Sequence, residues 1–526
     1  MGTKKYDAII IGGGHNGLAA AAILVRRGWR IGVFERNPSL GGAVQTRELT
    51  QPGFRHDLAA MNLSQFAGSA FHQEYAEDLA RHGLSFAHAD DCFASVFPDG
   101  RWFGVSKDVS TTVARISEFS AADAVAWTDL LKNFGEDAPH IFSVLGAPMT
   151  LSSLAKTGWK IWRQRGSGFI LQMIRLLVSS PRKFLDETFE SPEIKTTLAA
   201  WGMHLDFPPD QSGGALFPYL EAMGNQSFGM VIGKGGAETM IRALAGMIKE
   251  AGGDIYTDAP VEEILVKGGK ADGVKLRDGT VYRAKKAVIA NVAPSALTRS
   301  GLLKSGTGNE AFDRGAVNFA HAPGTMMIHL ALDGLPDWAA GEQLKKFAYV
   351  HLAPSLQMMA NVYTQAKNGV LPAEPVLVVG QPTAIDDSRA PEGKHILWIQ
   401  VRVLPAQISG DEAGEITGRE WADVKDAYSA RALSILERYA PGVHKKVIGS
   451  AVFSPDDLQR ENPNLVGGDQ IAGSHHLSQN FLFRPVLGWA DWKTPVDKLY
   501  MVGASTWPGA GVGAGSGTML ANRLNG

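Results

Sequence analysis

The run Tyr6 to Glu35, YDAIIIGGGHNGLAAAAILVRRGWRIGVFE, leaves few folds open to the chain that contains it. Ala8 to Ile11 is short, apolar and rich in isoleucine, the composition of a strand covered on both faces in a parallel sheet, and it stops at a glycine. Gly12, Gly14 and Gly17 complete GxGxxG, with His15 and Asn16 inside the turn. Gly12 suits the sharp turn, Gly14 lets a pyrophosphate approach the backbone, and Gly17 lets the following helix pack closely on the strands. The helix N-terminus aims free amides at the phosphates. Leu18 to Arg27 reads as an alanine-rich helix closed by Gly28, Arg30 to Phe34 as a second strand, and Glu35 follows 18 residues beyond Gly17, where a carboxylate accepts hydrogen bonds from a ribose diol. A chain with 60 glycines meets GxGxxG by chance, but chance does not supply the flanking strands, the helix and the acid together. The spacing predicts a nucleotide site.

At 526 residues the chain is about three times the usual domain size, which implies two interleaved domains with a large core. A net charge of -2 gives no general attraction to nucleic acid. The only cysteine is Cys92, so there is no internal disulfide and no CxxC pair, which sets aside the disulfide reductases although they too begin with a dinucleotide fold. No metal-ligand cluster and no Ser-His-Asp order is visible. The first strand starts too early for a signal or transit peptide, and no apolar run reaches the ~18 residues of a membrane span, so a cytoplasmic protein is expected.

After Glu35 a loop-like stretch carries the pair Gly41 and Gly42 ahead of Thr46, again a place where backbone comes close to something. Cys92 to Val105 should be a hairpin around Pro98, Asp99 and Gly100. From Thr111 to Phe228 the pattern is mostly helical, with Ser120 and Asp123 marking one N-cap. Within it, Lys156 to Lys183 holds seven cations, no acid and the pair Trp159 and Trp162, interrupted at Gly166 to Gly168. This is either an interfacial membrane contact or a helical lid with a solvated basic face. Short strands follow at Asp254 to Tyr256, Val261 to Val266, Gly273 to Leu276 and Ala287 to Ala290. Further strands at Thr325 to Leu332, Pro375 to Gly380 and His395 to Val403 precede a helix from Arg419 to Tyr439. Leu499 to Val502 is a last strand, followed by a glycine-dense loop and a helix from Thr518. Glycine-cushioned strand-to-helix turns at both ends of the chain suit one extended cofactor, and no second complete dinucleotide unit lies between them.

The segments IGGGHNGL, YTDAPVEEILVKGGKADGVKLRDGTVYRAKKAVIAN and LYMVGASTWPGAGVGAGSG resemble the phytoene desaturase type of FAD-dependent oxidoreductase. FLDETFESPEIK, PTAIDDSRAPEGKH and HHLSQNFLFRP are similar to the pyridine nucleotide-disulfide oxidoreductase domain-containing protein 2 branch. The resemblance implies an α/β fold: a Rossmann-like FAD-binding domain in three parts (1–110, 228–300, 461–526), interleaved with a helical substrate or lid region (111–227) and a mixed-sheet substrate domain (301–460). It implies non-covalent FAD, with Gly12, Gly14, His15, Asn16 and Gly17 at the pyrophosphate, Glu35 and Arg36 at the adenosine ribose, and Gly41, Gly42, Ala43 and Thr46 on the pyrophosphate and ribityl side. Val261 and Asn291 join that set, and Gly503, Ala504, Gly511, Val512 and Gly513 approach the flavin ring. Carotenoid desaturases often carry a histidine in place of Trp507, which counts against a polyene substrate, and relatives often carry an arginine in place of Ala43.

The reaction implied is hydride removal from a carbon of an apolar substrate, isoprenoid or alicyclic, with oxygen or a quinone as the electron acceptor. A flavin amine oxidase and a non-catalytic lipid or prenyl binder are the competing expectations. Residues expected to shape the substrate side are His56 and Asp57, His475, His476 and Gln479, Arg484 and Trp507, with His475 or His476 as proton acceptor where one is needed. For each histidine a hydrogen-bonded structural role is the competing assignment.

Overall fold

The computed structural model describes residues 4–524. Its first sheet is centred on Lys5–Ile11, which runs parallel to Val281–Ala290 on one side and to Ile31–Phe34 on the other. Ile9 and Ile10 have no exposed surface, and alternation sends them into two different apolar cores, one on each face of the sheet. Asp254–Tyr256 adds a parallel strand beyond Ile31–Phe34, and Leu499–Met501 pairs in parallel with Val281–Ala290. Val261–Lys267 and Lys270–Leu276 extend the other edge as antiparallel hairpins. Strands from both ends and the middle of the chain therefore meet in one sheet.

The helix His15–Arg26 lays its fully buried alanines, Ala19 to Ala22, between the helices Glu238–Glu250 and Gly515–Arg523. A Cβ on Gly517 would lie 1.9 Å from the Asn16 carbonyl oxygen, so a glycine is what lets the first and last helices touch. That last helix begins at Gly515, three residues before the expected Thr518. Two glycines in its first turn hide its start, because sequence patterning scores them as loop.

The second sheet follows the order Val447–Phe453, Gly324–Leu332, His395–Leu404, Val376–Gly380, Tyr349–Leu352, Asp91–Val96, Trp102–Ser106. The hairpin expected around Pro98 to Gly100 is present, but it joins this sheet, through parallel pairing with Tyr349–Leu352, rather than the nucleotide-binding sheet whose segment it follows. In His395–Leu404 alternation sorts the side chains: Leu397, Ile399 and Val401 enter an apolar core, while Trp398, Gln400 and Arg402 take the opposite face.

Helices close one side. Ser120 accepts the amide of Asp123 as the N-cap of Ala121–Leu145. Leu151–Val178 breaks at Gly166, whose φ of +77° and ψ of 177° leave the helical region. Trp159 and Trp162 stack with centroids 4.8 Å apart and stay 59% and 44% exposed. Four of the cations in this stretch are held by carboxylates: Arg165 by Glu136 and Asp137, Arg175 and Lys183 by Glu187, and Arg182 by Asp210. Among the described residues no helix is long and apolar enough to cross a membrane.

Candidate functional site

A cavity of about 1650 Å³ is lined by both sheets and by the helix Leu216–Phe228. Ordinary small-molecule pockets hold roughly 300–1,000 Å³, so this one has room for a large cofactor and a substrate together. At one end it is walled by Gly12, Gly14, His15, Asn16, Glu35, Arg36, Gly41, Gly42, Ala43, Val261, Asn291, Gly503, Ala504, Gly511, Val512 and Gly513.

This end fits a dinucleotide. The helix His15–Arg26 has no side-chain N-cap and no acid in its first turn, so its positive end is left for a ligand anion. The helix Gly515–Arg523 starts beside it in the same way. Asn291 lies between the two glycine turns: a Cβ on Gly14 would come within 2.8 Å of its Nδ2, and one on Gly503 within 2.6 Å of its Oδ1. Side chains at those glycines would displace Asn291 or fill the space beside it. Glu35 is held by the amides of Gly13 at 2.7 Å and Asn37 at 2.9 Å, each to a different carboxylate oxygen, which keeps spare lone pairs for a diol. Burial lowers the pKa of His15 to about 4, so it contributes as a neutral ring.

Seven expected residues lie off the cavity wall: Gly17, Thr46, His56, Asp57, His476, Arg484 and Gln479, the last donating to the carbonyls of Ala320 and Ser474. Gly17 packs against the Gly12 carbonyl, as its helix-packing task requires. Thr46 donates to Asp57 Oδ1 at 2.6 Å and accepts the amide of Glu238 at 3.1 Å, while Asp57 also accepts the amide of Ala237 and forms a fully buried ion pair with Arg389. Thr46 and Asp57 thus cap the helix Glu238–Glu250 instead of touching a cofactor. His56 is buried against His329, with its Nε2 on Thr50, and burial lowers its pKa to about 3. His476 points away from the cavity, its Nε2 2.7 Å from the carbonyl of Asp206.

His475 does line the cavity, but its Nε2 accepts the amide of Ala510 at 2.9 Å and burial holds its pKa well below the usual histidine range. It braces the terminal glycine loop, and its lone pair is not free to take a proton. Arg484 does related work, donating to the carbonyls of Gly473, Ser474 and Ala504. Trp507 lines the wall with its indole N–H donated to the Ala147 carbonyl at 2.9 Å.

The other end of the cavity was not legible from motifs. Trp201, Phe217, Leu220, Tyr349 and Trp398 give it an aromatic and apolar wall, into which Glu221, Gln400, Arg402 and Gln470 also face. Glu221 makes no side-chain hydrogen bond among the described residues, and burial alone raises its pKa from 4.5 to about 7. The available signal was alternation: Gln400 and Arg402 occupy every second place of a strand otherwise apolar from Ile396 to Leu404. Among the described residues no metal-binding cluster occurs.

Comparison with known proteins agrees with this geometry. A model of the family described as flavin containing amine oxidoreductase matches residues 17–513. The chain is 28% identical to pyridine nucleotide-disulfide oxidoreductase domain-containing protein 2 of Mus musculus, over 98% of this chain and 93% of that protein. It is 24% identical to the neurosporene-forming phytoene desaturase of Rhodobacter capsulatus, over 98% and 93%. In fold it is similar to an oxidoreductase of Methanosarcina mazei, with a TM-score of 0.63 and 18% identity over 99% of this chain and 100% of that one.

Proposed function

Since the chain belongs to the flavin containing amine oxidoreductase family, and is therefore a flavin-dependent oxidoreductase, we propose that it binds FAD without a covalent bond and dehydrogenates a carbon–carbon or carbon–heteroatom bond of a largely apolar substrate. The observation that carries this reading is the single continuous cavity, with glycine cradles and two uncapped helix ends at one side and an aromatic wall at the other. A bound flavin supplies the hydride acceptor. The chain supplies the rest. Gly14, Gly503 and Asn291 set how deeply the dinucleotide lies, Glu35 fixes its ribose, and Trp201, Tyr349 and Trp398 exclude water from the reacting carbon. Glu221 faces this space unpaired and with a pKa of about 7, so it takes the proton released alongside the hydride, the task that sequence had given to His475 or His476.

The single dinucleotide unit among the described residues, beside this cavity, supports oxygen or a quinone, rather than NAD, as the final acceptor. The test is the visible spectrum of the purified protein, followed anaerobically while apolar substrates are added. Bleaching by a substrate and recovery on admitting air support the reading. A colourless protein after incubation with FAD, or rapid bleaching by NADH alone, would overturn it.

A further inference from the structure

Arg402 is 7% exposed and lines the cavity. A guanidinium donates five hydrogen bonds and accepts none. Its Nη1 donates to Gln400 Oε1 at 2.7 Å, and its Nη2 to the carbonyls of His204 at 3.0 Å and Met203 at 3.4 Å. No ion pair to a carboxylate is formed among the described residues, and its Nε has no partner. The two acids near enough to act on it, Asp469 and Asp206, are already engaged. Asp469 accepts the amides of Ala322, Ile471 and Gly473, and Asp206 accepts the hydroxyl of Tyr363.

The guanidinium also orients its neighbours. Because arginine only donates, Gln400 must turn its oxygen toward it, so the Gln400 amide NH2 faces Gln470, at 2.6 Å from Oε1. Gln470 must then offer its own oxygen, and its Nε2 is left buried with no acceptor. The indole nitrogens of Trp201 and Trp398, two further cavity residues, lack acceptors as well. The side chains of one stretch of wall thus hold four buried donor nitrogens without acceptors, one of them the Nε of a buried cation. Buried donors are normally satisfied, and a buried cation is costly without an anion.

We propose that this wall is the anchor for a carboxylate on an otherwise apolar substrate, held by Arg402 and Gln470 while Glu221 and Tyr349 face the carbon that reacts. The proposal rests on the dehydrogenase reading above and narrows its substrate from a plain hydrocarbon to an apolar acid. Charge-assisted bonds from arginine suit a carboxylate well, and the surrounding indoles exclude the water that would otherwise weaken them.

The test is calorimetric titration of the flavin-loaded protein with decanoate, decanol and decylamine. Decanoate should bind at least tenfold tighter than decanol, and decylamine more weakly than either. Arg402→Gln should bring decanoate to within about twofold of decanol. Gln470→Glu, which places a carboxylate of the chain's own beside the guanidinium, should remove the preference while decanol still binds, which shows that the variant is folded. Equal affinity of the wild type for decanoate and decanol, as expected if Arg402 only holds a buried water, would overturn the proposal, as would a preference that survives in Gln470→Glu. The colour of the preparation reports separately on the parent reading: a yellow protein with no carboxylate preference loses only the anchor, and a colourless one loses the dehydrogenase assignment whatever the titrations show.

Discussion

Replacing Glu221 with Gln should raise stability and lower activity at the same time, and both effects should grow as pH rises. Burial raises the carboxyl from 4.5 to about 7. At about 1.4 kcal/mol per tenfold change in proton affinity, the charged form costs the folded state ~3 kcal/mol relative to the unfolded chain. The sign is opposite to that of a paired carboxylate. Below about pH 4.5 both states hold the proton and nothing is lost. As pH rises from 4.5 toward 7, the unfolded chain releases its proton while the folded one keeps it, and above about 7 the full penalty applies. Glu221→Gln removes the penalty, so at pH 8.5 it should melt about 3 °C higher than wild type, a figure that follows from the entropy of unfolding a chain of this length. At pH 5 the gap should be under about 1 °C. The rate of flavin reduction under anaerobic stopped flow should rise through pH ~7 in the wild type, and in Glu221→Gln it should be ~10²-fold slower and flat with pH. A stability gap that is the same at both pH values would show that the carboxyl is not desolvated. An unchanged reduction rate would remove Glu221 as the proton acceptor even if the stability effect holds.

Gly14→Val should leave the protein colourless, because its Cβ would already press on Asn291 Nδ2 at 2.8 Å and two further methyls enter the cradle; acid precipitation of the wild type should release all flavin to the supernatant, and flavin retained in the pellet would contradict non-covalent binding. His476→Ala should reduce its flavin within about twofold of the wild-type rate, since the ring is tied to Asp206 away from the cavity; a ~10²-fold loss would restore it as a base. Flotation with vesicles tests the stretch Lys156 to Lys183. With Arg165, Arg175, Arg182 and Lys183 already paired, Lys156, Lys160 and Arg163 are the cations of this stretch without a carboxylate partner among the described residues, so binding to anionic lipid should be weak, salt-sensitive and abolished by Trp159→Ala with Trp162→Ala. Equal binding to neutral and anionic vesicles would refute the electrostatic part.

What sequence alone determined was the nucleotide half of the molecule. The GxGxxG turn, Glu35 at a strand end and the terminal glycine loop are each read within one local unit, because the groups that hold a dinucleotide are backbone amides whose access depends on missing side chains. The buried strand before Gly12 and the hairpin at 91–106 were legible for the same reason, although which sheet the hairpin joins was not. The substrate half was decided by tertiary structure. His475 and His476 are adjacent in HHLSQ, yet one braces the loop at Ala510 and the other turns to Asp206, and nothing in the pair of letters distinguishes them. Thr46 and Asp57 sit in motif-like surroundings but are spent on a helix N-terminus about 180 residues further along the chain. Glu221 and Arg402 carried no motif at all. Each is an ordinary residue on its own helix or strand, and acquires a shifted pKa or an unpartnered donor only where a helix from one region and a strand from another close the same cavity. Desolvation is a property of everything packed around a group, and the chain in one dimension does not hold it.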